Sequence, residues 1–137
     1  MKQYKPELSN ISPHIEMGKD CIVHSHVVIY DNVKIGDRVK IQAFVFIPNG
    51  ITIGDDVFIG PRVTFTNDPI PPSGGKGWKE TSIKDGVSIG AAAVILPGIV
   101  IGRNAMVGAG SVVTKNIPQG EVWIGNPARF YKKRIDL

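Results

Sequence analysis

The chain has 137 residues, 42% hydrophobic and 20% charged, with a formal net charge of +4. This is enough for one domain with a real core, and the whole of 1–137 is read as a single domain. Cys21 is the only cysteine, so no intrachain disulfide forms and a reducing compartment fits. The opening MKQYKPELSN lacks the apolar stretch of a secretory signal. No run approaches the roughly 18 apolar residues of a membrane span, so the cytoplasm is the expected location. Aromatic residues make up 7% of the chain and do not alternate with Lys and Arg. Nucleic-acid binding by base stacking is therefore not expected.

Residues 1–10 are polar and predict a short lead-in. From Ile11 onward every sixth residue is apolar: Ile11, Met17, Val23, Ile29, Ile35, Ile41, Ile47, Ile53, Ile59 and Phe65. The series resumes in phase at Ile83 and continues through Ile89, Ile95, Ile101, Val107 and Val113. At a 42% background, sixteen successive hits have odds on the order of one in a million before choice of register. A second column lies four residues after the first and is apolar from Ile15 to Val63 and again from Val87 to Ile117, except at Ser111. Gly follows the first column at positions 18, 36, 54, 60, 90, 102 and 108, where tolerance of positive φ at tight corners is the expected reason.

A period of six fits no α-helix. It fits short β-branched strands separated by corners, with three hexads closing a coil of about 18 residues. Residues 11–65 supply about three coils and residues 83–118 two more. Between them, 66–82 (TNDPIPPSGGKGWKETS) breaks the pattern with Pro and Gly over about one coil's worth of sequence, and because the phase is kept it predicts an extruded loop with the helix continuing beneath it. At the end, Asn126-Pro127 reads as a helix N-cap and first turn. ARFYKKRIDL then predicts a short C-terminal helix with Tyr131 and Ile135 on one face, capping the open end of the prism.

The pattern resembles the hexapeptide-repeat acyltransferase superfamily, and it does so most specifically in IKDGVSIGAAAVILPGIVIGRNAMVGAGSVVTKNIP followed by WIGNPAR. The resemblance implies an all-β, left-handed parallel β-helix. The hand comes from the resemblance alone, since the general preference for right-handed crossovers would give the opposite answer. It also implies a homotrimer, with acetyl-coenzyme A as co-substrate in the groove between subunits and no metal cofactor. Carried onto this chain, the cofactor contacts are Gly90, Ala91, Ala92, Gly108 and Ala109 for the pantetheine arm, with Lys115 and Arg129 for the phosphates. Gly at 90 and 108 equally suits corner geometry, and a surface Lys is ordinarily just solvated.

GPRVTFTNDPIPPS resembles the same stretch in N-acetyltransferases of nucleotide-linked amino sugars, especially dTDP-3-amino-3,6-dideoxyhexoses. The chain departs from that pattern in lacking a basic residue after the Pro. The implied reaction is direct attack of the sugar amine on the thioester, with Asn67 and Asp68 as catalytic candidates. Asn67 would orient the amine, while Asp68 would bind a hydroxyl or the ammonium. Asn-Asp-Pro also starts loops well, and both roles stand open. His26, Arg62, Thr66 and Trp78 are substrate-binding candidates. Arg62, read as one coil below Glu80, would meet a diphosphate, and Trp78 would stack on a ring or pin the loop.

An alcohol acceptor needs a general base, usually His. His14, His24 and His26 all lie early in the chain, away from the loop, which favours an amine acceptor. His24 and His26, two residues apart on a strand, would point the same way. The alternatives are a sugar or antibiotic O-acetyltransferase with a His base, a non-catalytic β-helix scaffold subunit, and a metal-dependent γ-type carbonic anhydrase.

Overall fold

In the computed structural model, which describes residues 1–136, the hexads fold as strands of two or three residues that turn at every corner. Branched residues favour extended backbone, and each strand is too short to bury its apolar face alone. Stacking solves this through three parallel faces. Face A contains Ile22–Val23, Lys40–Ile41, Phe58–Ile59, Ser88–Ile89 and Met106–Val107. Face B contains Val28–Ile29, Phe46–Ile47, Thr64–Phe65, Val94–Ile95 and Val112–Val113. Face C contains Glu16–Met17, Lys34–Ile35, Ile51–Ile53, Thr81–Ile83 and Val100–Ile101. Val23 pairs with Ile41 and Ile41 with Ile59, so one coil takes three hexads.

Both predicted columns fill the prism. Ile35, Ile53 and Ile89 are 4%, 2% and 0% exposed, and Ile11, Ile15 and Met17 at the open lower end are only partly covered. Ser111, the polar exception, is also buried. Its Oγ accepts the Gly125 N–H at 3.0 Å, which ties the last coil to the C-terminal segment.

Four expectations need correction. The opening residues are not a mere lead-in, because Lys2–Gln3 pairs in parallel with Ile22–Val23 and already belongs to face A. The loop is extruded with the coils continuing beneath it, as expected, but it is smaller than a coil's worth of sequence. Ile53 pairs directly with Ile83, so the step across it is five hexads rather than three, and the insertion amounts to two hexads at a single corner.

The C-terminal helix is replaced by two strands. Glu121–Gly125 pairs in parallel with Met106–Val107, and Ala128–Lys133 folds back antiparallel to it. The last coil presents open backbone donors and acceptors that a strand satisfies and a helix cannot. Proline also biases Asn126 away from helical geometry. Tyr131 and Ile135, expected to cap the core, are 63% and 84% exposed.

The glycines that follow the first column serve a different purpose from the one expected. The left-handed backbone falls two residues after them, at Asp20, Arg38, Asp56, Arg62, Ala92, Asn104 and Gly110. The glycines instead allow close stacking of coils: a Cβ on Gly90 would lie 2.5 Å from the Ala109 nitrogen.

Candidate active site

The prism has three edges, and each has its own chemistry. The edge between faces C and A carries an aspartate ladder. Asp37 accepts the Lys19 amide, Asp55 the Asp37 amide and Asp85 the Asp55 amide, at 2.8–2.9 Å. Beside it Arg38 grips Asp56 with two bonds, 2.7 and 3.1 Å. That pairing holds the Asp56 carboxyl below its ordinary range. These groups satisfy one another and read as a structural seam.

The edge between A and B is built otherwise. Its left-handed positions in successive coils are His26, Phe44, Arg62, Ala92 and Gly110. Phe44 bonds back to Ser25, Arg62 to Ala43, Ala92 to Pro61 and Gly110 to Ala91. Side chains shrink up the edge, from stacked rings to none. Gly90, Ala91, Ala92, Gly108 and Ala109, the predicted pantetheine contacts, form its smooth upper part. Ile124 closes over Gly108, and Arg129 pairs with Ile124 in the hairpin. The structure therefore gathers six predicted cofactor residues, with His26 and Arg62 on the same edge below them. Arg62 lies under Ala92 and not under Glu80, because the loop inserts before the next face rather than above Arg62.

The remaining candidates occupy the edge between B and C. Thr66 donates its hydroxyl to the Ile95 carbonyl at 2.8 Å. Asn67 is 8% exposed and donates from Nδ2 to the Asn49 carbonyl at 3.0 Å. Asp68 accepts the amides of Ile70 at 3.1 Å and Ser73 at 2.8 Å. The Ser73 amide, with help from Ile70, Ser73 and Trp78 groups, holds the Asp68 carboxyl below its ordinary 3.8. Both residues thus fasten the loop base, the turn role the sequence had left open. Trp78 and Lys79 line a shallow cleft with Asn32, Asn49, Gly50 and Glu80. Lys115 is exposed on this edge, apart from the small-residue stretch.

His24 and His26 do not form a pair. They sit in a corner rather than on a strand, His24 stacked on Tyr4 in the coil below and His26 on Phe44 in the coil above. Among the described residues there is no group of three or more His, Cys, Asp or Glu suited to a metal ion. Phe44 and Gly110 went unnoticed in the sequence, although stepping three hexads at a time from His26 reaches Phe44 and then Arg62.

A family model described as bacterial transferase hexapeptide (six repeats) matches residues 14–49, 32–67 and 80–115. The chain belongs to this hexapeptide-repeat family. Its fold is the left-handed parallel β-helix. A galactoside O-acetyltransferase of Lactococcus lactis is 38% identical over 63% of this chain and 44% of its own length. A dTDP-3-amino-3,6-dideoxy-alpha-D-galactopyranose 3-N-acetyltransferase of Aneurinibacillus thermoaerophilus is 58% identical over 36% of this chain and 26% of its own length. Among solved structures, a perosamine N-acetyltransferase variant from Caulobacter crescentus, in complex with CoA and GDP-perosamine, superimposes with a TM-score of 0.83 at 25% identity, covering 97% of this chain and 58% of that one. The matched segment spans under half the length of the first curated relatives. No described helix of this hexapeptide-repeat protein is long and apolar enough to cross a membrane.

Proposed function

We propose that this protein is an acetyl-CoA-dependent N-acetyltransferase acting on the amino group of a nucleotide-diphosphate-linked sugar, with dTDP-3-amino-3,6-dideoxyhexoses as the first candidates. The observation that carries the reading is the A–B edge. A stretch free of large side chains at Gly90–Ala92 and Gly108–Gly110 adjoins a cationic, aromatic stretch below it. A slender pantetheine arm fits the first, where small residues let it approach the backbone, and an anionic acceptor fits the second. The Aneurinibacillus relative, whose name states this amine acetylation, and the Caulobacter structure with CoA and GDP-perosamine support the same reading.

In this reading the neutral amine attacks the thioester carbonyl, a backbone N–H of the small-residue edge holds the developing oxyanion, and the departing thiolate takes up the amine's proton. Asn67 and Asp68 act by fixing the loop that carries Trp78, with Thr66 at its root. His26, Arg62 and Trp78 contact the acceptor, while Lys115 and Arg129 meet the cofactor phosphates. The loop and the small-residue edge lie on different edges of one prism. The complete site is therefore proposed to form between subunits of a homotrimer, the loop of one facing the A–B edge of the next. Cytoplasmic nucleotide-sugar metabolism is the proposed setting.

O-acetylation is the second reading, favoured by the Lactococcus galactoside O-acetyltransferase. The deciding experiment follows thiol release from acetyl-CoA with matched amino and hydroxy sugars, free and nucleotide-linked, using the parent protein and His26→Asn and His24→Asn variants. Turnover confined to nucleotide-linked amino sugars is expected, with kcat kept within a few-fold in both variants and any loss in His26→Asn confined to KM for the acceptor. Preferential turnover of a hydroxy sugar that collapses in a His variant overturns the N-acetyl reading. Light scattering showing a stable monomer at assay concentration overturns the shared site.

A further inference from the structure

The lower part of the A–B edge is unlike the other two edges. Its three consecutive left-handed positions hold His26, Phe44 and Arg62, with φ of 60°, 65° and 64°. Bulky residues are uncommon in this conformation, which Asn, Asp and Gly adopt most readily. The C–A edge mostly follows that preference with Asp20, Asp56, Gly86 and Asn104, Arg38 being its one bulky member, whereas the lower A–B edge has three in succession.

Packing does not account for the exception. Phe44 is 50% exposed and points away from a core that is already full. The three side chains instead pack on one another. The His26 and Phe44 rings stack at 4.7 Å with planes 11° apart. The guanidinium carbon of Arg62 lies 5.0 Å from the Phe44 ring centroid, within the range of a cation–π contact.

Arg38 pairs with Asp56, Lys133 with Glu121 and Arg134 with Asp136. Arg62, like Arg103 and Arg129, has no carboxylate partner among the described residues, and it alone of these three is held against an aromatic ring. The Arg62 side chain is exposed and makes no hydrogen bond among the described residues, so its N–H fork is available for the two-oxygen grip that guanidinium makes on phosphate. One coil higher, about 4.8 Å along the stack, begins the smooth stretch at Ala92.

We propose that the His26–Phe44–Arg62 column is a nucleotide-diphosphate subsite in which Arg62 binds the pyrophosphate bridge and Phe44 is the residue that positions it. A ligand anchored there extends its sugar upward to the small-residue edge, and its base has the exposed ring column beside it. The subsite rests on the acyltransferase reading above. Coenzyme A carries the same pyrophosphate chemistry, so its binding is measured alongside that of the acceptor nucleotide. The nucleotide of the acceptor is the assigned ligand, because Lys115 and Arg129 lie in the upper coils where the cofactor phosphates are placed.

The test is calorimetric titration of the intact protein with dTDP, UDP or GDP in one arm and CoA in the other, for the parent, Arg62→Gln, Arg62→Lys, Phe44→Leu and Phe44→Tyr. For the preferred nucleotide, Arg62→Gln is expected to weaken binding at least tenfold and to flatten its salt dependence. Phe44→Leu weakens it about threefold to tenfold with all charges intact, and Phe44→Tyr restores it. Arg62→Lys falls between parent and Gln. CoA affinity stays within twofold throughout. In turnover, Arg62→Gln raises KM for the nucleotide sugar with kcat within a few-fold.

Nucleotide affinity unchanged in Arg62→Gln overturns the subsite even if the parent acetylates an amino sugar. A loss of CoA affinity in place of nucleotide affinity overturns the assignment of the column to the acceptor. A parent that binds neither nucleotide nor CoA at millimolar ligand overturns both the subsite and the acyltransferase reading. All five proteins are compared at matched melting temperature, since the substituted groups are exposed and lie outside the core.

Discussion

Gly90→Ala probes how tightly the coils are stacked. The added Cβ would lie 2.5 Å from the Ala109 nitrogen and 2.9 Å from the Ala109 Cα and the Gly108 carbonyl carbon. All three are backbone atoms, so no side chain can swing away. Ordinary contact at 3.4 Å requires the coils to part by about 0.9 Å, against a spacing near 4.8 Å. The Gly90 N–H to Val107 carbonyl bond, 2.8 Å long, would stretch to about 3.7 Å, beyond hydrogen-bond range. Overpacking costs about 1–3 kcal/mol, and an interior amide left unpaired adds about 1–3 kcal/mol. The expected loss is about 2–6 kcal/mol, a melting point lower by roughly 7–20 °C for a chain of this size.

Gly110→Ala is the control. It lies in the next coil at φ +69° with nothing within 4 Å of its added Cβ, and Ala92 already adopts φ 62° one coil below. The left-handed penalty of about 1–2 kcal/mol is partly offset by lower unfolded-state entropy, leaving under about 1.5 kcal/mol. Thermal and urea melts at several protein concentrations decide, the concentrations separating any effect on assembly. A Gly90→Ala melting point within about 3 °C of the parent, or a Gly110→Ala variant less stable than Gly90→Ala, refutes the stacking argument.

Ser111→Ala removes the acceptor of the Gly125 N–H. Amide exchange in the C-terminal hairpin should speed up by about tenfold, the equivalent of roughly 1.4 kcal/mol, while the lower coils exchange as before. The loop should also loosen in acid. A carboxylate with a lowered folded pKa stabilises above its unfolded value and loses that contribution as pH falls through the folded one. With Asp68 held below 3.8, Trp78 emission in a Trp123→Phe background should stay constant above about pH 5 and change only below about pH 4. Asp68→Asn should abolish that transition, and an unchanged acid transition in it would assign the effect elsewhere.

The aliphatic ladder was legible because its cause is local. A residue's place in a hexad decides whether it faces in or out, so Ile35, Ile53 and Ile89 could be assigned to the core from spacing alone. The loop could be located for the same reason, since it interrupts a period. Its size could not, because the residues that leave the coil at a corner are told apart from those that stay only by which strands pair across it. Glycine spacing was visible, but its purpose was not. Whether a missing Cβ serves a positive φ or a close neighbour depends on what lies one coil away.

The C-terminal segment shows the same limit. Asn126-Pro127 carries a local helix-start signal, and the open edge of the last coil outweighs it by offering backbone partners that local sequence cannot reveal. The distribution of candidates among edges is likewise tertiary. His26 and Arg62 lie six hexads apart in sequence yet stack around Phe44 on one edge, while Asn67, far closer to Arg62 along the chain, turns onto another. In a three-sided coil the composition of each hexad determines burial, and only the winding decides which exposed residues meet.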